Sequence, residues 1–389
     1  MKVLFISTED ARYGAPKSMQ KLMELLMKEH NVECVLLTKK HNILNDWCDE
    51  KGIENYSCNY RDIMAGDSYE RWYLNFAKHC VKRLRYIKGG LTQKKIDKLG
   101  IDFDSIDLIH SNTNRVDIGV YISKKYNIPH IWHLREMDEG TKNMHYYKKN
   151  WADYMNRGTD AFVAITNVVK DSWISKGLDE NKIKVIYNGI DPQGVVSKEK
   201  ENFQDDIIKI VAVGRVERAK GQMDLINALC RLDEVTQQKF QVDFIGESYS
   251  DYKKMLMQKM EQSKCQTKIN YCGYCGNVGE VLQQYDIGIT CSPAEAFGRT
   301  TIEYMMAGLL TIASKSGANQ ELIDDEDSGI IYDNDLADSL ERVLINITNN
   351  REKYIKIAQN GRLQSIKRFN AEMNANLIYE LYTTILLNK

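Results

Sequence analysis

Glu295 and Glu303 stand eight positions apart in Ser-Pro-Ala-Glu-Ala-Phe-Gly-Arg-Thr-Thr-Ile-Glu. The apolar run 287–292 predicts a buried strand, and 299–307 predicts the helix that follows it. In an open parallel sheet, ligands bind beyond the carboxyl ends of the strands. One carboxylate therefore belongs on the loop at the strand's end and the other a turn or more into the helix. The backbone amides of Phe297, Gly298, Arg299 and Thr300 fall at the helix N-terminus, where anions bind. Two fixed acceptors around an anion cradle suit a molecule with hydroxyls at both ends and phosphates between them, such as a nucleotide sugar. Glu303 would grip ribose hydroxyls and Glu295 a sugar hydroxyl. A solvated surface Glu beside a helix-capping Glu is the bland alternative; the Phe-Gly turn and the strand-loop-helix setting weigh against it.

Cations occur where another strand should end. Val213-Gly214-Arg215 is followed after a short loop by Lys220-Gly221. Arg offers a planar fork and Lys a mobile point charge. Such preorganised cations stabilise charge on a departing diphosphate, typically by about 2–4 kcal/mol each. On spacing alone this is equally a basic surface loop, with Glu217 and Arg218 solvated beside it. Nearer the N-terminus, Tyr13-Gly14-Ala15-Pro16 joins a strand to a helix, and glycine there lets backbone approach a phosphate or sugar closely. Pro129-His-Ile-Trp-His-Leu-Arg-Glu puts His133 at a strand's carboxyl end. His110 and His130 read as strand-interior residues.

Positioning these groups requires two series of alternating strands and helices. Strands are expected at 3–7, 33–38, 107–111, 130–133, 161–166 and 184–187, with helices clearest at 17–29 and 116–126. A second series has strands at 209–213, 241–245, 269–272, 287–291 and 310–313. Such alternation means a parallel sheet covered by helices, and two series mean two Rossmann-like α/β domains facing across a cleft. The polar stretch 188–206, punctuated by Asn-Gly and Asp-Pro, is the expected boundary. The end, 368–389, reads as one or two helices with an apolar face.

With 389 residues, 43% hydrophobic and 28% charged, the chain has the composition of an ordinary enzyme of two or three domains. A net charge of −1 gives no global pull toward nucleic acid. The start, Met-Lys-Val-Leu-Phe-Ile-Ser, is too short for a signal peptide, and no run of about eighteen apolar residues occurs. A cytoplasmic protein is expected. Nine cysteines, an odd number, fit a reduced compartment. Cys272-Gly-Tyr-Cys275 lacks a second pair or nearby His for a zinc site, and reads as incidental thiols at a strand end. Neither domain shows Gly-x-Gly-x-x-Gly after its first strand, which argues against a dinucleotide-dependent dehydrogenase.

Taken in order, these motifs resemble the nucleotide-sugar glycosyltransferases of family 4, which are retaining enzymes of the two-domain GT-B fold. The resemblance runs through the Gly14 loop, Asp107-Leu-Ile-His-Ser-Asn, His133, Val185-Ile-Tyr-Asn-Gly-Ile-Asp191, Gly214-Arg215 with Lys220-Gly221, the glutamate pair and Gly317-Ala-Asn-Gln-Glu321-Leu-Ile. It implies an acceptor-binding domain over 1–190, a donor-binding domain over 191–368, and a C-terminal helix, 369–389, that crosses back to the first domain. By motif, Arg215 and Lys220 would hold the diphosphate, Glu303 the ribose and Glu295 the transferred sugar. Phe297 to Thr300 would complete the cradle, with Gly14 contributing on the donor side. His133 would meet the transferred sugar or the reacting centre. Asn112, Thr113 and Arg135 are the acceptor-side candidates. The first loop has one glycine where many relatives have two, and Ala296 stands where glycine is common.

The resemblance implies sugar transfer from an NDP-sugar, UDP by default and GDP as the other option, to a hydroxyl of a glycan or lipid-linked acceptor. With no carboxylate placed as a nucleophile, it further implies front-face attack. The cations would replace a metal, so no cofactor and no metal are expected. An NDP-sugar 2-epimerase and a catalytically silent sugar-nucleotide binder are the alternatives. Finally, 72–99 interleaves Lys78, Lys82, Arg83, Arg85, Lys88, Lys94, Lys95 and Lys98 with apolar and aromatic residues. It reads equally as a surface for anionic membrane at the inner face or as a helix docked on the first domain with a solvated basic side.

Overall fold

The computed structural model describes residues 1–7, 14–67, 71–87, 95–137, 144–195, 202–248 and 250–388. The chain forms two compact units, one of Met1–Gly189 with Ala371–Lys389 and the other of Ile190–Asn370.

Unit 1 is built on β1 (Lys2–Ser7), β2 (Glu33–Thr38), β3 (Glu54–Ser57), β5 (Leu108–Ser111), β6 (His130–Leu134), β8 (Ala161–Ala164) and β9 (Ile183–Val185). These form one seven-stranded sheet in the order β3-β2-β1-β5-β6-β8-β9, and every adjacent pair is parallel. Short β4 (Met64–Gly66) and β7 (Met144–Tyr146) pair antiparallel beside it. Successive side chains of a strand point to opposite faces, and both faces are covered, which is why the strands are continuous apolar runs rather than alternating ones. Val3, Phe5 and Leu36 pack on one face with Met19, Leu22, Met23 and Leu26 of the helix Gly14–His30. Ala371, Ala375, Ile378 and Tyr382 of the helix Ala371–Leu387 join the same cluster. Leu4, Ile6, Val35 and Leu37 pack on the other face with Ile109, Val116 and Ile122.

Unit 2 has β10 (Ile208–Val213), β11 (Phe240–Ile245), β12 (Lys268–Gly273), β13 (Ile287–Thr290), β14 (Leu310–Ser314) and β15 (Ile330–Tyr332). Their order is β12-β11-β10-β13-β14-β15, all parallel. The strand order reverses direction at β10 and β13, so a crevice opens beyond their carboxyl ends. In unit 1 the same reversal falls between β1 and β5.

The α/β class and the parallel sheets agree with the sequence reading; several boundaries do not. The strand expected at 161–166 stops at Ala164, because the Thr166 hydroxyl accepts from the Val169 amide (3.2 Å) and caps the next helix. The helix expected from 116 begins at Ile118, since Val116 bridges to Asp62. The strand expected at 184–187 is Ile183–Val185. β3 is a short, partly exposed edge strand without an apolar run to announce it, and β15, the apolar Ile-Ile-Tyr at the edge of the second sheet, is only three residues long.

Candidate active site

In unit 2, Glu295 lies on the loop after β13, and Lys220 reaches it with Nζ 3.2 Å from Oε2. The meeting depends on a backbone contact. Gly221 has φ +65°, and a Cβ there would lie 2.0 Å from the carbonyl oxygen of Cys291. Only glycine lets the turn Arg218–Lys220 press against the end of β13 and deliver Lys220 to Glu295. From the other side the Glu295 loop is held by Gly317-Ala318-Asn319. The Ala318 amide donates to the Glu295 carbonyl at 2.8 Å. Gly317 has φ +56°, and a Cβ there would stand 2.2 Å from that carbonyl oxygen and 2.6 Å from the Glu295 nitrogen. Asn319 is fully buried; its Oδ1 accepts from Thr301 (3.1 Å) and its Nδ2 donates to the Ser314 carbonyl (3.1 Å).

The helix Arg299–Met306 starts after Gly298, whose φ of +77° turns the chain and whose missing side chain gives the first turn no cap. Phe297 is buried beneath this turn, with Arg299 and Thr300 opening the helix. Glu303, one turn in, accepts from Arg299 Nε at 2.8 Å. The next residue, Tyr304, is fully buried, and its hydroxyl accepts from the Val213 amide at 2.6 Å. That bond ties the helix to the end of β10, immediately before Gly214-Arg215. Arg215 is half-exposed and pairs with Glu217 at 2.9 Å; its carbonyl accepts from Gln222 Nε2. Glu217 is therefore the salt-bridge partner of Arg215 rather than a solvated bystander. Ser292 Oγ and Gln222 Oε1 are buried near the ends of β13 and β10 without a partner among the described residues.

In unit 1, Ser7, Ala15, Pro16, Asn112, Thr113, Arg135 and Glu136 line one pocket, which brings the three acceptor-side candidates together. Arg135 is buried and its guanidinium turns inward. Nε donates to Asn112 Oδ1 (2.7 Å), Nη1 to Asn188 Oδ1 (2.5 Å), and Nη2 lies 3.4 Å from His133 Nδ1. Glu136 is gripped by Arg115 at 3.0 Å. His133 is buried, its Nδ1 is 3.0 Å from His110 Nε2, and its Nε2 has no partner among the described residues. Burial, then the Arg135 charge and the neighbouring imidazole, pushes the His133 pKa well down. His110 shifts the same way, from burial first, then Arg135 and His130. Both shifts favour the neutral ring. Gly14 is the exposed first residue of its helix; the rest of the glycine-loop reading, at Tyr13, lies outside the described residues.

Among the described residues two His/carboxylate clusters could gather a metal, Asp67 with His79 and His145, and His41 with Asp46 and Asp49. Neither contains a predicted site residue. In the first, both imidazoles bond to Asp67 Oδ1 (2.9 and 3.2 Å) and His79 Nδ1 bonds to the Tyr147 hydroxyl, which forms a hydrogen-bonded knot.

Residues 196–364 match the family described as glycosyl transferases group 1, and residues 25–193 match glycosyltransferase family 4. The chain belongs to the group 1 glycosyltransferases. An uncharacterized glycosyltransferase of Methanocaldococcus jannaschii is 25% identical over 354 residues, covering 84% of this chain and 93% of that one. An uncharacterized 42.6 kDa protein in a cps region of Klebsiella pneumoniae is 23% identical over 397 residues, 92% of this chain and 99% of its own. Anabaena HepE in complex with UDP superposes with a TM-score of 0.79 at 18% identity, over 99% of this chain and 100% of that one. Its complex with UDP-glucose gives 0.76 at the same identity and coverage. The fold is GT-B.

What the sequence reading of this glycosyltransferase missed is mostly bracing. The Arg299–Glu303 pair was readable as an i,i+4 contact. The Gly317 and Asn319 supports carry no local signal of their role beyond the motif in which they stand. Nor does the His110–His133 contact, although Ile131 pairs with His110 across β5 and β6 and places both imidazoles on one sheet face.

Proposed function

We propose that this glycosyltransferase moves a hexose from a UDP-sugar to a hydroxyl of a glycan or lipid-linked acceptor, with retention at the anomeric carbon. One observation carries the reading: a cation and a carboxylate, Lys220 and Glu295, meet beyond β10 and β13, where glycine contacts bring their backbones close. Lys220 turns to the diphosphate when donor binds, and Glu295 then accepts from a hydroxyl of the transferred sugar. Arg215 adds a second cation, and Glu303 with its helix N-terminus takes the ribose and phosphate. The anomeric C–O bond to the leaving phosphate breaks as the acceptor oxygen bonds to the same face, and the acceptor's proton passes to the leaving phosphate oxygen. His133 Nε2 serves an oxygen of the reacting sugars. The cations replace a divalent metal at the diphosphate.

UDP is favoured because HepE, alike in fold, has been seen with UDP and UDP-glucose. A cell-surface polysaccharide or glycoconjugate product is suggested by the cps-region relative and by a fold neighbour that is a lipopolysaccharide outer core galactosyltransferase (TM-score 0.65, 18% identity). Peripheral attachment to the inner membrane face is part of the proposal. No helix among the described residues is long and apolar enough to cross a membrane. However, the helix Trp72–Ile87 buries only Asn75 and His79 and exposes Trp72 (76%), Phe76 (65%), Leu84 (58%) and Ile87 (66%). It also carries Lys78, Lys82, Arg83 and Arg85 and no acid. A helix that docks by polar groups and shows its apolar side outward is poorly explained as a solvated basic face.

The test is incubation with a panel of UDP- and GDP-sugars, with and without glycan acceptors, following free NDP and the identity of the sugar. Acceptor-dependent NDP release supports transfer. Isomerised sugar without acceptor would mean an epimerase, and binding without either product a silent binder.

A further inference from the structure

Tyr382, on the helix Ala371–Leu387, places its hydroxyl against His110 Nδ1, 272 residues away in sequence. His110 Nε2 in turn meets His133 Nδ1 at 3.0 Å, and His133 Nε2 ends the chain without a partner. Tyr382, His110 and His133 are all buried, with Phe5 stacked on the His110 ring. Such a chain of neutral groups can carry its hydrogens in either direction. In one direction Tyr382 O–H donates to His110 and His110 Nε2–H donates to His133, leaving an N–H at His133 Nε2. In the other every proton is reversed, and His133 Nε2 is a bare lone pair.

Two groups bias the choice, Arg135 at the His133 end and the Tyr382 phenol at the His110 end. A guanidinium is a donor only, and Arg135 Nη2 lies 3.4 Å from His133 Nδ1. A proton on that nitrogen would face both an N–H and a full positive charge in a dry setting, whereas a lone pair is attracted by both. Nδ1 of His133 is thus the acceptor, so His110 must carry its hydrogen on Nε2 and offer its Nδ1 lone pair to Tyr382. The Tyr382 phenol, raised in pKa by burial, keeps the proton it donates.

We propose that Tyr382 and His110 are positioning residues that fix His133 in the Nε2–H tautomer, making it a hydrogen-bond donor to an oxygen of the substrate. This rests on the role proposed above for His133. It also excludes His133 as the base that takes the acceptor's proton, since its unpartnered Nε2 already holds one. The C-terminal helix thereby sets the chemistry of a strand-end imidazole as well as filling the core.

The direct test is long-range proton–nitrogen correlation NMR on the full chain labelled with 15N-histidine, with His133 assigned by its loss in His133→Gln. The expected wild-type spectrum has a pyrrole-type Nε2 and a pyridine-type Nδ1 at His133. A protonated Nδ1, or a mixture, would overturn the proposal, and neither result depends on knowing the substrate. In Tyr382→Phe, His110 Nδ1 loses its donor while Arg135 still disfavours a proton on His133 Nδ1, so a minor Nδ1–H population should appear at His110 beside the Nε2–H form. An unchanged spectrum would remove Tyr382 from the assignment. With donor and acceptor identified, kcat of Tyr382→Phe should fall about tenfold or more while donor Kd stays unchanged; equal kcat would refute the positioning role. Absence of turnover in the wild type would count against the proposed function, and the spectrum would still decide the tautomer.

Discussion

Replacing Gly317 by Ala should disable the glycosyltransferase without touching a reacting group. The new methyl would stand 2.2 Å from the Glu295 carbonyl oxygen, where ordinary contact begins at 3.4 Å. The two segments must part by the difference, 3.4 − 2.2 = 1.2 Å. The neighbouring Ala318 amide already bonds that same carbonyl at 2.8 Å, so the loop cannot retreat without losing the bond. The positive φ adds about 1–2 kcal/mol for an L side chain, and the lost hydrogen bond about 1 kcal/mol. Unit 2 should therefore lose about 2–3 kcal/mol and remain folded. Under the role proposed for Glu295, misplacing its carboxylate by about 1 Å costs on the order of a hundredfold in rate, read as acceptor-dependent NDP release. Gly52→Ala is the matched control: φ is +67° there, but nothing lies within 4 Å of the added carbon. It should show the backbone cost alone, with unchanged turnover. If Gly317→Ala turns over like Gly52→Ala, the Glu295 loop does not act as argued.

Lys220→Ala should lower kcat by about 10²–10³-fold, and Glu295→Ala should abolish transfer. Both should keep near-native melting temperatures, since a partly exposed pair contributes only about 1 kcal/mol; undiminished transfer by either would refute its role. Transfer should survive chelator, and complete loss restored by manganese would refute metal independence at the diphosphate. Flotation with liposomes should depend on anionic lipid and on salt, and should be lost in Trp72→Ser with Phe76→Ser; salt-insensitive or absent binding would refute the membrane assignment. His130, held by Ser111 Oγ and the Gly158 carbonyl, has its pKa pushed down to about 4 by burial. Because the folded value lies below the unfolded one near 6.5, the unfolded chain binds the proton first on acidification. Stability is full above about pH 6.5 and falls by about 1.4 kcal/mol per pH unit down to about pH 4, about 3 kcal/mol from this group. His110 and His133 add in the same direction. A melting temperature for unit 1 that does not fall between about pH 7 and pH 5 would contradict this.

The fold was legible wherever the sheet is buried on both faces. β1, β2 and β13, and β10 beyond Lys209, carry uninterrupted apolar runs because helices cover both sides of them. Glu54–Ser57 was illegible because an edge strand needs no apolar side chains to hold its place. Within the site, Glu295 and Glu303 could be found because strand, turn and helix lie in one short stretch of chain. Their partners differ in this respect. Arg299 lies one turn from Glu303 on the same helix and was open to reading. Lys220 reaches Glu295 across 75 positions through a glycine contact, and Tyr382 reaches His110 from the far end of the chain. Side-chain pattern predicts which element a residue joins. It does not predict which backbone will come close enough to need a glycine.

The resting pairs bear on how donor would be admitted under the proposed function. Glu295 and Glu303 each already hold a cation, Lys220 at 3.2 Å and Arg299 at 2.8 Å. An unpaired carboxylate in a half-buried crevice would carry a desolvation cost and repel an incoming diphosphate. A cation parked on it removes both problems at little expense, because a partly exposed pair is worth only about 1 kcal/mol. The diphosphate, with more charge and more acceptor oxygens than one carboxylate, outcompetes Glu295 for Lys220. Glu295 is then released to accept from a sugar hydroxyl, and no separate step has to unmask it. Lys220→Ala should on this account weaken donor binding and also leave Glu295 uncompensated in the empty enzyme. The double variant Lys220→Ala, Glu295→Ala should therefore bind nucleoside diphosphate more tightly than Lys220→Ala alone. Equal or weaker affinity in the double variant would show that the two residues meet only by proximity.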